Sequence, residues 1–230
     1  MSPRPPGGPQ EQPTIRATPG RTTVTEVWKL VHSERAALVA DLRDVSGDRW
    51  DTPSLCPGWT VHDVLAHLVD TARTTRGRFV VGMLRARMDF DRQNEHGIAR
   101  ARGATPEETL RRFAECVPMT ATPPAPLATR LVEMVVHGED VRRPLGIVRT
   151  YAPAAVAGAL ALQVRTSTSF GGARETVAGL RLSATDTGLV VGSGPEVRGT
   201  ALALLLAISG RPPGDDALTG PGAGALARAE

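Results

Sequence analysis

Residues 59–70 read WTVHDVLAHLVD, and residues 131–146 read LVEMVVHGEDVRRPLG. In the first stretch Thr60 is an N-cap with Asp63 three residues later, an Asp version of the capping box, so a helix starts there. Its apolar stripe is Val61, Val64, Leu65, Leu68 and Ala72, and His67 sits on the edge of that stripe beside Val64. In the second stretch the stripe Leu127, Leu131, Met134, Gly138 and Val141 is backed by Val132, Val135 and Val136. A helix apolar nearly all round is buried in a bundle, so its polar Glu133 and His137 need partners. Glu133 and His137 are one helical turn apart on one face.

Two imidazoles and a carboxylate from two helices form, if they converge, a three-ligand divalent-metal site with one position open for water or a thiolate. Each group also has an ordinary reading. A lone histidine beside an apolar stripe is commonly a hydrogen-bonded core residue, and a Glu–His pair at this spacing is commonly a solvated polar pair. Other histidines carry less weight. His32 lies off its helix stripe and reads as exposed, His62 points away from His67, and His96 reads as a solvated loop residue. Asp63 is a cap, Asp140 and Arg142 read as an ion-paired helix end, and Cys56 lies just ahead of the second helix.

Outward from these helices, a first helix spans about Thr22 to Val45, with Val24, Val27, Trp28, Val31, Leu38, Leu42 and Val45 on one face. Arg73 to Met88 continues the second helix, with a break near Gly77, and Asp89 to Gly103 reads as a loop. Thr105-Pro106 opens a third helix as N-cap and first helical position. The helix carrying Glu133 and His137 is then the fourth. Ala152 to Thr168 is an alanine-rich helix, LRLSA and LVVG flank the turn Thr185–Gly188 as a hairpin, and Thr200 to Ser209 is a further helix. GSGP at Gly192–Pro195 is a turn, not a dinucleotide loop, and no P-loop or serine nucleophile elbow is present. The expected organisation is a Pro/Gly-rich disordered tail over 1–21, a helical bundle over 22–148, a small α+β domain over 149–220 and a frayed tail over 221–230.

Composition narrows the function. Aromatic residues make up only 3% against 41% hydrophobic, so aliphatic side chains pack the core, which favours helices. The net charge of +3 is dispersed, and no basic run interleaves with aromatics, which argues against nucleic acid. Cys56 and Cys116 lie far apart, as in a reducing cytoplasm rather than a disulfide framework. Stretches such as ALALLLAI are too short to span a bilayer, and the N-terminus lacks a secretory h-region.

The pattern W-x-x-x-S-x-C-x-G-W-T-V-x-D-V-x-A-H-L over Trp50–Leu68 and the pattern E-x-x-x-H-G-x-D-x-R-R-P-L-G over Glu133–Gly146 resemble the mycothiol-dependent maleylpyruvate isomerase family of actinobacteria, within the wider DinB-like metal-binding bundles. The segments GLRLSATDTG and VGSGPEVRGTALALLLAISGR resemble that family's small C-terminal α/β domain. The resemblance implies an α+β protein: a DinB-like four-helix bundle followed by the small domain. It implies a metal, zinc, held by His67, Glu133 and His137, and mycothiol as thiol cosubstrate. The metal activates the thiol, which adds to a carbon–carbon double bond of a small electrophile, allows rotation and leaves. Many members act on other electrophiles, so S-transfer stands beside isomerisation. A metal-dependent hydrolase and a non-enzymatic metal- or thiol-sensing regulator are the alternatives. The partners expected are a small-molecule electrophile and a low-molecular-weight thiol, with no nucleic acid and no membrane, in the cytoplasm.

Overall fold

The computed structural model describes residues 15–16, 23–214 and 217–226. The described residues divide into two compact units, 23–162 in one, and 163–214 and 217–226 with 15–16 in the other.

In the first unit the helices are α1 (Val24–Asp41), α2 (Val61–Arg73), α3 (Arg76–Arg85), α4 (Phe90–Ala101), α5 (Pro106–Glu115), α6 (Thr129–Arg142) and α7 (Pro153–Gln163). Helices α1, α2, α5 and α6 form the bundle, with α1 and α2 each touching both α5 and α6. The two helices that bear His67 and Glu133/His137, α2 and α6, are therefore neighbours. The core is aliphatic, as the composition requires: Val31, Leu38, Leu42, Val64, Leu65, Leu68, Leu131, Met134 and Val135 are buried, with Trp50 and Phe113 the large aromatic members. Each such side chain contributes about 1.5–3 kcal/mol on burial, so many modest aliphatics replace a few aromatics. Capping boxes start α1 at Thr23/Glu26 and α2 at Thr60/Asp63, and Thr105 with Pro106 starts α5.

Two local expectations are corrected. The segment Asp89–Gly103 is not a loop. Asp89 caps α4, accepting from the Arg92 N–H at 3.1 Å, and the helix packs along α2. Its buried face is Gln93, Gly97, Ile98 and Ala101, only one of them a large apolar residue, so the hydrophobic period was too weak to read. The break after α2 falls at Thr74–Thr75 rather than Gly77, because Thr75 caps α3 and Gly77 lies in its first turn.

The second unit holds a sheet of β1 (Ile15–Arg16), β2 (Arg181–Ala184), β3 (Val190–Gly192) and β4 (Glu196–Gly199), in the order β1-β3-β2-β4, with α8 (Ala201–Ile208) and α9 (Ala223–Leu226). β2 and β3 form the expected antiparallel hairpin, with Leu182 opposite Val191, and β4 runs parallel to β2, with Leu182 opposite Val197. Leu182, Val191 and Val197 are buried on one face, and α8 lies against β4 and β2. The GSGP turn is what permits the parallel pairing. It passes so close to residues 179 and 180 that a Cβ on Gly192 or Gly194 would stand 2.2 Å from the Leu180 carbonyl or 2.1 Å from that of Gly179, and both glycines have positive φ.

The division between units falls after Leu162, not at residue 149. Helix α7 goes with the bundle up to Leu162, and its Gly158 stands close to α6, where a Cβ would meet Leu131 Cδ1 at 3.0 Å. The C-terminal stretch from 221 is not frayed throughout, since α9 forms and buries Leu226, and residues 227–230 lie outside the described residues. The disordered-tail expectation for 1–21 also lies outside them, except at Ile15–Arg16, which pair with β3.

Candidate metal and thiol site

The packing of α2 on α6 brings His67 and His137 together. Their rings meet edge to face, with centroids 4.9 Å apart and planes at 77°. His67 is 7% exposed. Trp59, at the entrance to α2, covers another side of its ring at 5.1 Å. Burial holds the His67 imidazole well below its ordinary pKa, the His137 ring and the Arg130 charge push the same way, and Asp140 opposes them. His67 is therefore a neutral ring at pH 7, with a lone pair to offer.

His137 is turned by Asp140, one turn on. Its Nδ1 lies 2.9 Å from a carboxylate oxygen of Asp140, which is fully buried. A carboxylate only accepts, so Nδ1–H donates and Nε2 is left facing away from the pair. Asp140 thus orients His137, and the helix-end partner expected for it, Arg142, instead pairs with Asp41 at 2.7 Å.

Glu133 is 9% exposed and opens on the same cavity as His67, a space of about 230 Å³. Its carboxylate accepts from Arg130 at 2.9 Å. Among the described residues no three or more His, Cys, Asp or Glu side chains stand close enough together to hold a metal ion. The structure thus joins His67 to His137 directly and Glu133 to His67 through the cavity wall, with Arg130 on the carboxylate.

The remaining histidines stay apart. His62 is buried against Thr109, Nε2 to Oγ1 2.7 Å, and edge-on to Trp50. His32 is half-buried rather than exposed, stacked on Trp28, with Nε2 3.3 Å from the Met119 carbonyl. His96 is exposed, as expected, but on α4 rather than in a loop. Cys56 lies half-buried in the turn before α2 and Cys116 is buried, and the two are not joined in a disulfide. Burial pushes the Cys116 thiol up.

Sequence reading missed the other walls of the cavity. Phe79 comes from α3, Phe90, Gln93 and Asn94 from α4, and Arg130 from the first turn of α6. The α4 residues were invisible because α4 itself was. Arg130 had a signal: an arginine three residues before Glu133 on a helix apolar nearly all round has to be buried and paired.

A helical bundle with a histidine pair at its centre and a small α/β unit after it defines the class of fold. Residues 31–122 match the family model described as Mycothiol maleylpyruvate isomerase N-terminal domain. Over most of its length the chain is similar in fold to two crystal structures of the mycothiol-dependent maleylpyruvate isomerase, one of them a histidine-to-alanine mutant. The TM-score is 0.61 for both, at 18% and 17% identity, covering 86% of this chain and 93% of those. No curated protein matches. The resemblance read from the two sequence motifs is borne out by the matched N-terminal segment and by the shared fold.

Proposed function

We propose that this protein is a metal-dependent enzyme that uses mycothiol, or a similar low-molecular-weight thiol, to attack a small electrophile, with cis–trans isomerisation or S-transfer as the outcome. The observation that carries this reading is the edge-to-face contact of His67 and His137 at 4.9 Å, made by two different helices, beside a cavity that Glu133 shares. The match of residues 31–122 supports the thiol.

The donor set suits a borderline divalent cation such as zinc: two imidazoles and one carboxylate, with a place left for an exogenous ligand. Asp140 supplies the outer carboxylate that orients a ligating histidine. His67, Glu133 and His137 would hold the ion, with Glu133 turning from Arg130 to do so. When bound, the ion would lower a thiol pKa from about 8.5 so that the thiolate is present at neutral pH. The rest falls to the chain. Packing of α2 on α6 fixes the two imidazoles, Trp59 shields His67 from water on one side, and the cavity of about 230 Å³ admits a small electrophile. Among the described residues no helix is long and apolar enough to cross a membrane.

Elemental analysis of the purified protein tests the site. We expect one divalent ion per chain, and neither His67→Ala nor His137→Ala to retain it. Full metal content in both folded variants would rule out the site. In cobalt-substituted protein, added thiol should produce a sulfur-to-cobalt charge-transfer band in the near ultraviolet. No band at saturating thiol would exclude the thiol role and leave the hydrolase reading.

A further inference from the structure

We propose that the hairpin of α3 and α4 is a docking face for an anionic phospholipid surface, with the apolar side of α3 entering the lipid interface and the groove between the two helices taking a lipid phosphate. The assignment goes beyond the metal and thiol reading and does not depend on it.

Two observations on this hairpin point to one kind of partner. The first is apolar. Of the eight large hydrophobic side chains that stand exposed among the described residues, five, Val80, Val81, Leu84, Met88 and Phe90, fall within residues 80–90. Helix α3 buries only Met83, so Val80, Val81 and Leu84 form an open stripe. The turn into α4 holds Arg87 and Met88 in left-handed backbone, φ 56° and 66°, and both side chains are exposed. A cluster of this kind marks an interaction surface.

The second observation is charge. Residues 76–100 carry six arginines, Arg76, Arg78, Arg85, Arg87, Arg92 and Arg100, against Asp89, Asp91 and Glu95, an excess of three that equals the +3 of the whole chain. Between the two helices lies a cavity of about 340 Å³, lined by Arg78 and Arg85 from α3, His96 and Arg100 from α4, and Val81, with no carboxylate in its walls. At about 100° per residue, Asp91 and Glu95 fall on the other side of α4 from His96 and Arg100. Asp89 is occupied in capping α4, at 3.1 Å from the Arg92 N–H, and Asp70 of α2 meets only Arg100, at 3.1 Å. The Arg78 side chain has the Arg73 carbonyl at 3.4 Å, and the Arg85 side chain has no hydrogen bond or ion pair among the described residues.

An anionic amphiphile satisfies both features at once, and Val81 belongs to both, exposed on the stripe and lining the cavity. A second copy docked patch on patch would set these arginines against their own kind, which repels. A phospholipid surface brings phosphate to the cavity and apolar chains to the stripe, with the arginine stems lying between. Helix α3, of ten residues, would lie on such a surface and not cross it, and among the described residues no helix is long and apolar enough to cross. The sequence expectation of no membrane partner rested on the lack of a spanning stretch, which this leaves intact.

Co-sedimentation of the full chain with vesicles of phosphatidylcholine, alone or with about a quarter phosphatidylglycerol, tests this. We expect the anionic vesicles to bind at least tenfold tighter than the neutral ones, and binding to weaken as salt rises from about 0.1 to about 0.5 M. Leu84→Gln/Met88→Gln and Arg78→Gln/Arg85→Gln alter only exposed side chains, so helicity should be unchanged, and each should weaken binding to anionic vesicles at least tenfold. Inorganic phosphate at matched ionic strength lacks the apolar half of the contact and should not displace the protein; displacement would make the groove a site for the free ion. Equal binding to both vesicles, no binding to either, or undiminished binding by the Leu84/Met88 variant would each overturn the assignment. Sedimentation equilibrium without vesicles covers the remaining occupant: a dimer that Leu84→Gln/Met88→Gln dissolves would give the face to a second copy instead.

Discussion

Asp140 turns a histidine into a directed donor. Its fully buried carboxylate fixes the Nδ1–H of His137 at 2.9 Å and so decides which ring nitrogen faces outward. Asp140→Asn keeps the shape but can present an amide donor to Nδ1, which favours the wrong tautomer. On the proposed metal reading, zinc affinity should fall by about 10–100-fold with helicity unchanged, read by competition with a chromophoric chelator. His62 makes a different residue-scale prediction. Burial lowers its pKa first, Arg102 lowers it further, and nearby carboxylates oppose. As pH falls, the unfolded chain protonates this histidine near its ordinary value of about 6.5, before the folded chain does. The unfolded state then binds more protons, so the stability held above about pH 6.5 is lost as pH drops from there towards the folded pKa. Denaturation midpoints at pH 7.5 and 5.5 should differ less in His62→Gln than in the wild type, while an identical acid loss would remove His62 as the cause. At this scale His67, Glu133 and His137 were legible because polar groups on apolar helix faces demand partners. Arg130 escaped because the partner it uses, Glu133, had been given other work.

Helix α4 shows how an element hides from its own sequence. FDRQNEHGIARA carries its packing on Gly97 and Ala101 as much as on Ile98, and close approach rather than apolar bulk seats it on α2. A Cβ on Gly97 would stand 2.4 Å from Asp70 Oδ2 and 2.8 Å from its Cγ. Gly97→Val should therefore push the helices apart or displace Asp70 from Arg100, costing about 2 kcal/mol in urea denaturation. Gly77, in the first turn of α3, has nothing within 4 Å of its would-be Cβ. There Gly→Ala should stabilise by up to about 1 kcal/mol. If both substitutions move the midpoint the same way, the close packing of α4 is not what seats it. By contrast, α2 and α5 were legible to within a residue at their starts, because Thr60/Asp63 and Thr105-Pro106 are local chemistry that needs no tertiary contact.

Across the bundle unit, a buried polar chain ties its first helix to its last turns. Arg142 bonds Asp41 of α1 at 2.7 Å and donates to the Tyr151 hydroxyl at 2.9 Å. That hydroxyl donates to Glu139 at 2.9 Å, and Glu139 also pairs with Arg143 at 2.7 Å. Burial and the neighbouring Glu139 carboxylate keep the Tyr151 phenol protonated far above its ordinary pKa, against the pull of Arg142. Tyr151→Phe leaves two buried charged groups each one hydrogen bond short. We expect a loss of about 1–3 kcal/mol, seen as a lower urea midpoint at unchanged slope; an unchanged midpoint would show that the chain does not bear on stability. The sequence by itself determined the bundle helices α1, α2, α5 and α6, the hairpin of β2 and β3, and the polar residues on α2 and α6, because caps, periodicity and turn residues act between neighbours in the chain. Only the tertiary structure decided that α4 is a helix, that β4 pairs parallel to β2 across a glycine turn, that Asp140 serves His137 rather than Arg142, and that Arg130 and the two phenylalanines wall the cavity. Each of these rests on which groups meet after burial, where a close approach or an unpaired charge weighs more than local preference.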